Sequence, residues 1–98
     1  MEVQIIGIRK PGGASNTHSA ISHYQWRNNA NGESKIATRP DMVKWILSNP
    51  TYNKAYVQGI LANTKAYCKV VTNAYGTTFL ETYPNSTGLD NLLSLPNI

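Results

Sequence analysis

The chain has 98 residues, 41% of them hydrophobic and 14% charged, with a formal net charge of +4. That length suits one domain, residues 1–98, with a single modest core, and the apolar share excludes a disordered chain. All nine Lys and Arg lie between Arg9 and Lys69, yet no basic cluster exceeds two neighbours, so anionic partners are favoured while an extended nucleic-acid face is not.

Cys68 is the only cysteine, which excludes an intrachain disulfide, a thiol pair or a cysteine-based zinc site and fits a reducing cytoplasm. No long apolar region follows Glu2, and no apolar run approaches the roughly 20 residues of a membrane helix. A cytoplasmic location with no leader and no membrane partner is the expectation.

Glu2 to Arg9 is rich in β-branched residues and reads as a central strand, Val3 and Ile5 facing one way and Ile6 and Ile8 the other. Gly7 marks a bulge or a close approach. Lys10 to Asn16 is a loop by composition. His18 to Asn28 reads as a longer strand, with Tyr24 and Trp26 on one face and Ile21 on the other. Asn31-Gly32 then favours positive φ and a hairpin into a short return strand, Glu33 to Ala37.

The segment from Thr38 to Pro50 carries the one multi-turn helix. Thr38 caps it, Pro40 suits its first turn, and Asp41 stands three residues after the cap. Met42, Val43, Ile46 and Leu47 follow at helical spacing beside Trp45. Asn49-Pro50 ends it, because the residue before a proline is pushed out of the helical region. Two segments after the helix share Lys-Ala-Tyr: Lys54-Ala55-Tyr56 and Lys65-Ala66-Tyr67. They read as two strands of one pleat rather than repeats of a solenoid. Lys65 to Thr82 forms a hairpin about Asn73–Gly76, carrying Phe79 or Leu80 inward. Leu89 to Pro96 reads as a short C-terminal helical turn, with Leu89, Leu92 and Leu93 on one side, docking on the core or on a partner. The fold class expected is α+β: an antiparallel sheet of about five to six short strands with one main helix on one face.

Several of these strings together resemble a known family. They are Gly7-Ile8-Arg9-Lys10-Pro11-Gly12-Gly13, His18-Ser19-Ala20-Ile21, Tyr24-Gln25-Trp26, Asn31-Gly32-Glu33, Met42-Val43-Lys44-Trp45-Ile46, Lys65-Ala66-Tyr67-Cys68 and the closing Asp90-Asn91-Leu92-Leu93-Ser94-Leu95-Pro96. Their arrangement resembles the short bacterial and phage proteins catalogued as domain of unknown function 3892. The Arg-Lys-Pro-Gly-Gly loop and the Asp-Asn-Leu-Leu-x-Leu-Pro ending are its most specific parts. The resemblance implies a small stand-alone α+β unit in a bacterial or phage setting, and it brings no activity or catalytic residues with it.

The candidate site is the loop that leaves the first strand. Arg9 and Lys10 supply charge, and Gly12 and Gly13 let backbone N–H groups converge on an anion. Ser15 and Asn16 add donors, His18 lies just beyond, and Tyr24 offers a ring for stacking. The plainer reading is a turn shaped by proline and glycine alone. The order of residues is not that of a P-loop. His18 and His23 stand five apart on the expected strand, on opposite faces, so they do not chelate one metal together. His23 reads as a surface polar residue, and Cys68 as a small core residue rather than a nucleophile. Nothing pairs a nucleophile with a base, so no catalytic residue, metal or cofactor is expected. The leading function is a non-enzymatic binding protein for a small anionic ligand such as a nucleotide, in the manner of a phage sequestering protein. A nucleic-acid-binding or regulatory module is one alternative. The other is a protein-interaction module, a homodimer or higher oligomer, joined through the leucine tail or an open strand edge.

Overall fold

The computed structural model describes residues 1–11, 18–58, 65–82, 92 and 95–98. Strand β1 spans Glu2–Arg9, β2 His23–Arg27 and β3 Ser34–Thr38; helix α1 spans Arg39–Ser48; β4 spans Lys54–Gln58, β5 Lys65–Thr72 and β6 Thr78–Thr82. They form a six-stranded sheet in the order β3-β2-β1-β4-β5-β6.

The sheet is mixed, which corrects the antiparallel expectation. Strands β1, β2 and β3 make an antiparallel meander, so β3 runs in the direction of β1. Helix α1 carries the chain back, and β4 then enters beside β1 in parallel, Glu2 opposite Lys54 and Gln4 opposite Tyr56. A meander of three strands followed by one returning helix leaves no other direction for β4 once it takes the free edge of β1.

Between Ile5 and Gly7 the register slips, so Ile6 has no opposite residue on β2. That bulge resets the pleat. Val3, Ile5 and Ile8 are all buried on the helix side, whereas strict alternation would place Ile8 with Ile6. Gly7 also admits a close neighbour: a Cβ there would stand 2.5 Å from Cγ2 of Ile98. The last residues run parallel to the end of β1. Ile8 donates its N–H to the Pro96 carbonyl at 3.0 Å, and Ile98 donates to that of Ile8 at 2.9 Å.

Helix α1 starts as its sequence dictates. The Asp41 N–H donates to Thr38 Oγ1 at 3.3 Å, and Pro40 lies in the first turn, where no N–H is needed. Met42, Val43 and Ile46 are buried, while Leu47 is exposed. Each buried side chain contributes about 1.5–3 kcal/mol of transfer free energy.

The predicted hairpin Lys65–Thr82 is present. Asn73 Oδ1 accepts from the N–H groups of Tyr75 and Thr77, both at 3.0 Å, and Gly76 has φ 80°. Strand β5 is shared between partners: Lys65 to Tyr67 pair with β4, and Cys68 to Thr72 with β6. The β5–β6 ribbon thereby curls over the helix-side face until β6 packs on α1, and Phe79 and Leu80 are both buried. The longer strand expected from His18 is shorter: His18–Ala20 is one turn of 3-10 helix, and β2 begins at His23. Arg39 fixes that turn, donating from Nη1 to the carbonyls of Ser19 at 3.1 Å and Ile21 at 3.3 Å. The C-terminal helical turn falls mostly on residues outside the described set. Of its leucines, Leu92 is fully buried in the core and Leu95 packs against it, while Leu89 and Leu93 are not described.

Candidate functional site

Arg9 ends β1 and stands opposite His23, the first residue of β2. Directly opposed residues of an antiparallel pair project from the same face, with Cβ atoms roughly 5 Å apart. That face is the one turned away from α1, since the adjacent pair, Ile8 and Tyr24, points into the core. Both Arg9 and His23 are partly exposed.

Local hydrogen bonds orient both groups. The Arg9 Nε–H donates to the Ile98 carbonyl at 3.3 Å, which aims the guanidinium plane. Ser22 donates its N–H to the Arg9 carbonyl at 2.8 Å, and its hydroxyl donates to the same oxygen at 3.2 Å. With its one proton so used, Ser22 Oγ accepts from His23 Nδ1, 2.8 Å away. This assigns the Nδ1–H tautomer and leaves Nε2 facing outward. Among the described residues the Arg9 Nη groups and His23 Nε2 have no hydrogen-bond partner. Lys10 follows Arg9, and its N–H donates to Asn97 Oδ1 at 3.4 Å.

Of the residues read from the sequence, the structure therefore brings Arg9 and Lys10 to one corner. Gly12, Gly13, Ser15 and Asn16 lie outside the described residues. His18 begins the 3-10 turn, and its side chain is not described. Tyr24, expected as a stacking ring, is fully buried, and its hydroxyl accepts the Leu80 N–H at 3.3 Å. Burial raises its phenol to about 12. Its ring is closed to a ligand, because the pleat that puts His23 outside puts Tyr24 inside. Sequence reasoning passed over His23. A strand begun at His18 does not set His23 against Arg9; that register follows from the 3-10 turn His18–Ala20, which starts β2 at His23.

Several other chemistry-bearing groups among the described residues are committed elsewhere on the sheet. Tyr56 and Tyr67 stand opposite one another with ring centroids 6.0 Å apart in an edge-to-face arrangement. Lys65 Nζ lies 4.5 Å from the Tyr56 ring centre, and Lys54 Nζ lies 5.7 Å from that of Tyr67. The doubled Lys-Ala-Tyr thus yields two reciprocal cation–π contacts across β4 and β5. Asn29 donates to the Tyr56 hydroxyl at 2.7 Å, and the Tyr67 hydroxyl donates to Glu2 at 3.2 Å. Burial pushes the Cys68 thiol up to about 12, so it stays protonated at neutral pH. Among the described residues no group of three His, Cys, Asp or Glu side chains is placed to hold a metal ion, and no helix is long and apolar enough to cross a membrane.

The family described as "Protein of unknown function (DUF3892)" matches residues 4–96 of the chain. No curated protein and no solved structure matches it.

Proposed function

We propose, for a chain that belongs to the DUF3892 family and takes no assigned activity from it, that it binds a small anionic ligand at the corner formed by Arg9, Lys10 and His23. The observation that carries this reading is the pairing of Arg9 with His23 on one face of the sheet, both oriented by local hydrogen bonds, with the Arg9 Nη donors and His23 Nε2 without a partner among the described residues. The Arg9 guanidinium offers a fork of donors to the oxygens of a phosphate or sulfate group, with the His23 imidazole edge beside it. Gly12 and Gly13 follow Lys10 and Pro11 in the sequence. With Tyr24 in the core, recognition rests on the anionic group rather than on stacking of a base. A phosphate-bearing small molecule, a nucleotide included, fits that chemistry. Binding without turnover is favoured by the Cys68 thiol being held protonated and by the Ser22 hydroxyl beside His23 spending its proton on the Arg9 carbonyl rather than on the imidazole.

Isothermal calorimetry against sulfate, pyrophosphate and a panel of nucleotides tests the proposal. Binding is expected from at least one member, and Arg9→Ala should weaken it about ten- to a hundredfold, as loss of a charge-assisted hydrogen bond does. His23→Gln should weaken sulfate binding by less than Arg9→Ala does, since the guanidinium carries the fork of donors. No heat from any anion, or an unaltered affinity in Arg9→Ala, would remove the reading.

A further inference from the structure

On the opposite side of the sheet, a recess of about 200 Å³ lies between α1 and the β1–β2–β3 half. Val3, Ala37 and Met42 line it with apolar surface, and Trp26 and Trp45 add two indoles. Met1 also lines it, with its α-ammonium donating to the Tyr52 carbonyl at 2.6 Å, and Asp41 contributes the one charged side chain among the lining residues. Asp41 and Trp45 are one turn apart on α1, hence on the same helical face. Trp26 reaches the recess from β2, two residues beyond Tyr24 on the same pleat.

The polar groups here are unusually idle. Glu2 is ion-paired with Lys65 at 3.8 Å and Glu33 with Lys35 at 3.7 Å, whereas the Asp41 carboxylate has no ion pair or hydrogen bond among the described residues. Neither indole N–H has a hydrogen-bond partner among the described residues, and both tryptophans are only partly buried. In a chain of net charge +4, a carboxylate beside two indoles, without an ion pair among the described residues, is a locally negative site.

We propose that this recess binds a small arylalkylammonium ion: one ring with a short chain ending in a positively charged nitrogen. Size sets the body. An apolar cavity of roughly 150 Å³ accepts benzene, so the recess takes one ring and two or three further carbons. Charge sets the head group. An ammonium ion meets the Asp41 carboxylate at the rim and the π-faces of Trp45 and Trp26, indole being the best aromatic partner for a cation. An Asp in a first turn also interacts with the helix dipole, but that role needs no apolar recess and no second tryptophan. The site faces away from Arg9 and His23 and stands independently of the anion site.

The test uses 2-phenylethylammonium, with 2-phenylethanol and phenylacetate as neutral and anionic counterparts. It is read by tryptophan fluorescence and by the two indole N–H resonances. The ammonium ion should move both resonances saturably, bind about tenfold more tightly than the alcohol, and exclude the carboxylate. Asp41→Asn should lower its affinity to that of the alcohol and leave the alcohol unchanged. Trp45→Leu should weaken the ammonium ion while Trp26 still reports the residue. No movement of either indole up to about 10 mM ligand, equal binding of ammonium and alcohol, or indifference to Asp41→Asn would each overturn the proposal.

Discussion

Tyr24 shows how much one side chain settles in a small core. Its ring fills the centre, and its hydroxyl meets the N–H of Leu80 on a strand four places away in the sheet. Replacing it with phenylalanine keeps the ring and orphans that buried N–H. Tyr24→Phe should therefore cost about 1–3 kcal/mol, measured as a lower urea midpoint at unchanged slope. The same burial makes stability fall in alkali. Tyr24 is raised from 10.0 to about 12 and Cys68 from 9.0 to about 12. Between those values the unfolded chain has released its protons while the folded chain keeps them, so stability is full below pH 9 and declines from there to pH 12. Urea midpoints between about pH 8 and pH 11 should drop, each group contributing up to about 1.4 kcal/mol per pH unit. Cys68→Ala should remove the earlier part of that decline and leave the part that begins with the tyrosine; a flat profile would contradict the burial of both. The sequence alone offers Tyr24 as a ring for stacking on a ligand. Its position is decided by β6 folding over it, and β6 lies 54 residues or more along the chain.

The elements that were legible are those whose causes are local. Helix α1 and the β5–β6 hairpin come from caps, turn residues and short-range periodicity, and both stand where expected. Thr38→Ala removes the one side-chain acceptor of the first turn, and it should lower stability by about 1 kcal/mol with helix content otherwise retained, checked by circular dichroism and denaturation. The bulge at Ile6 and the parallel entry of β4 were less legible. Gly7 hinted at the first, but its phase depends on what β2 and the C-terminal segment do to either side. The second depends on which sheet edge receives the chain after α1. The shared Lys-Ala-Tyr was visible as two similar strands. Its consequence, each lysine over the other strand's tyrosine, needed the register that sets Tyr56 against Tyr67.

At the scale of the molecule, the mixed sheet separates two kinds of surface. Helix α1 and β6 cover one face and build the core against it, leaving the recess beside Asp41 and the tryptophans. The other face carries Arg9 and His23 at one end and the Glu2, Lys65, Tyr56 and Tyr67 network at the other. The charges of Arg9 and Lys10 at the end of the first strand were readable. Their partner was not, because a histidine becomes a neighbour of Arg9 only through strand pairing.

The most direct test follows the side-chain resonances of Arg9 Nε–H and the His23 ring by NMR as sulfate is added. The two should shift together with one midpoint, and Arg9→Ala should abolish the His23 response. Movement of either group without the other, or of neither while other lysines and arginines respond, would contradict a shared anion site.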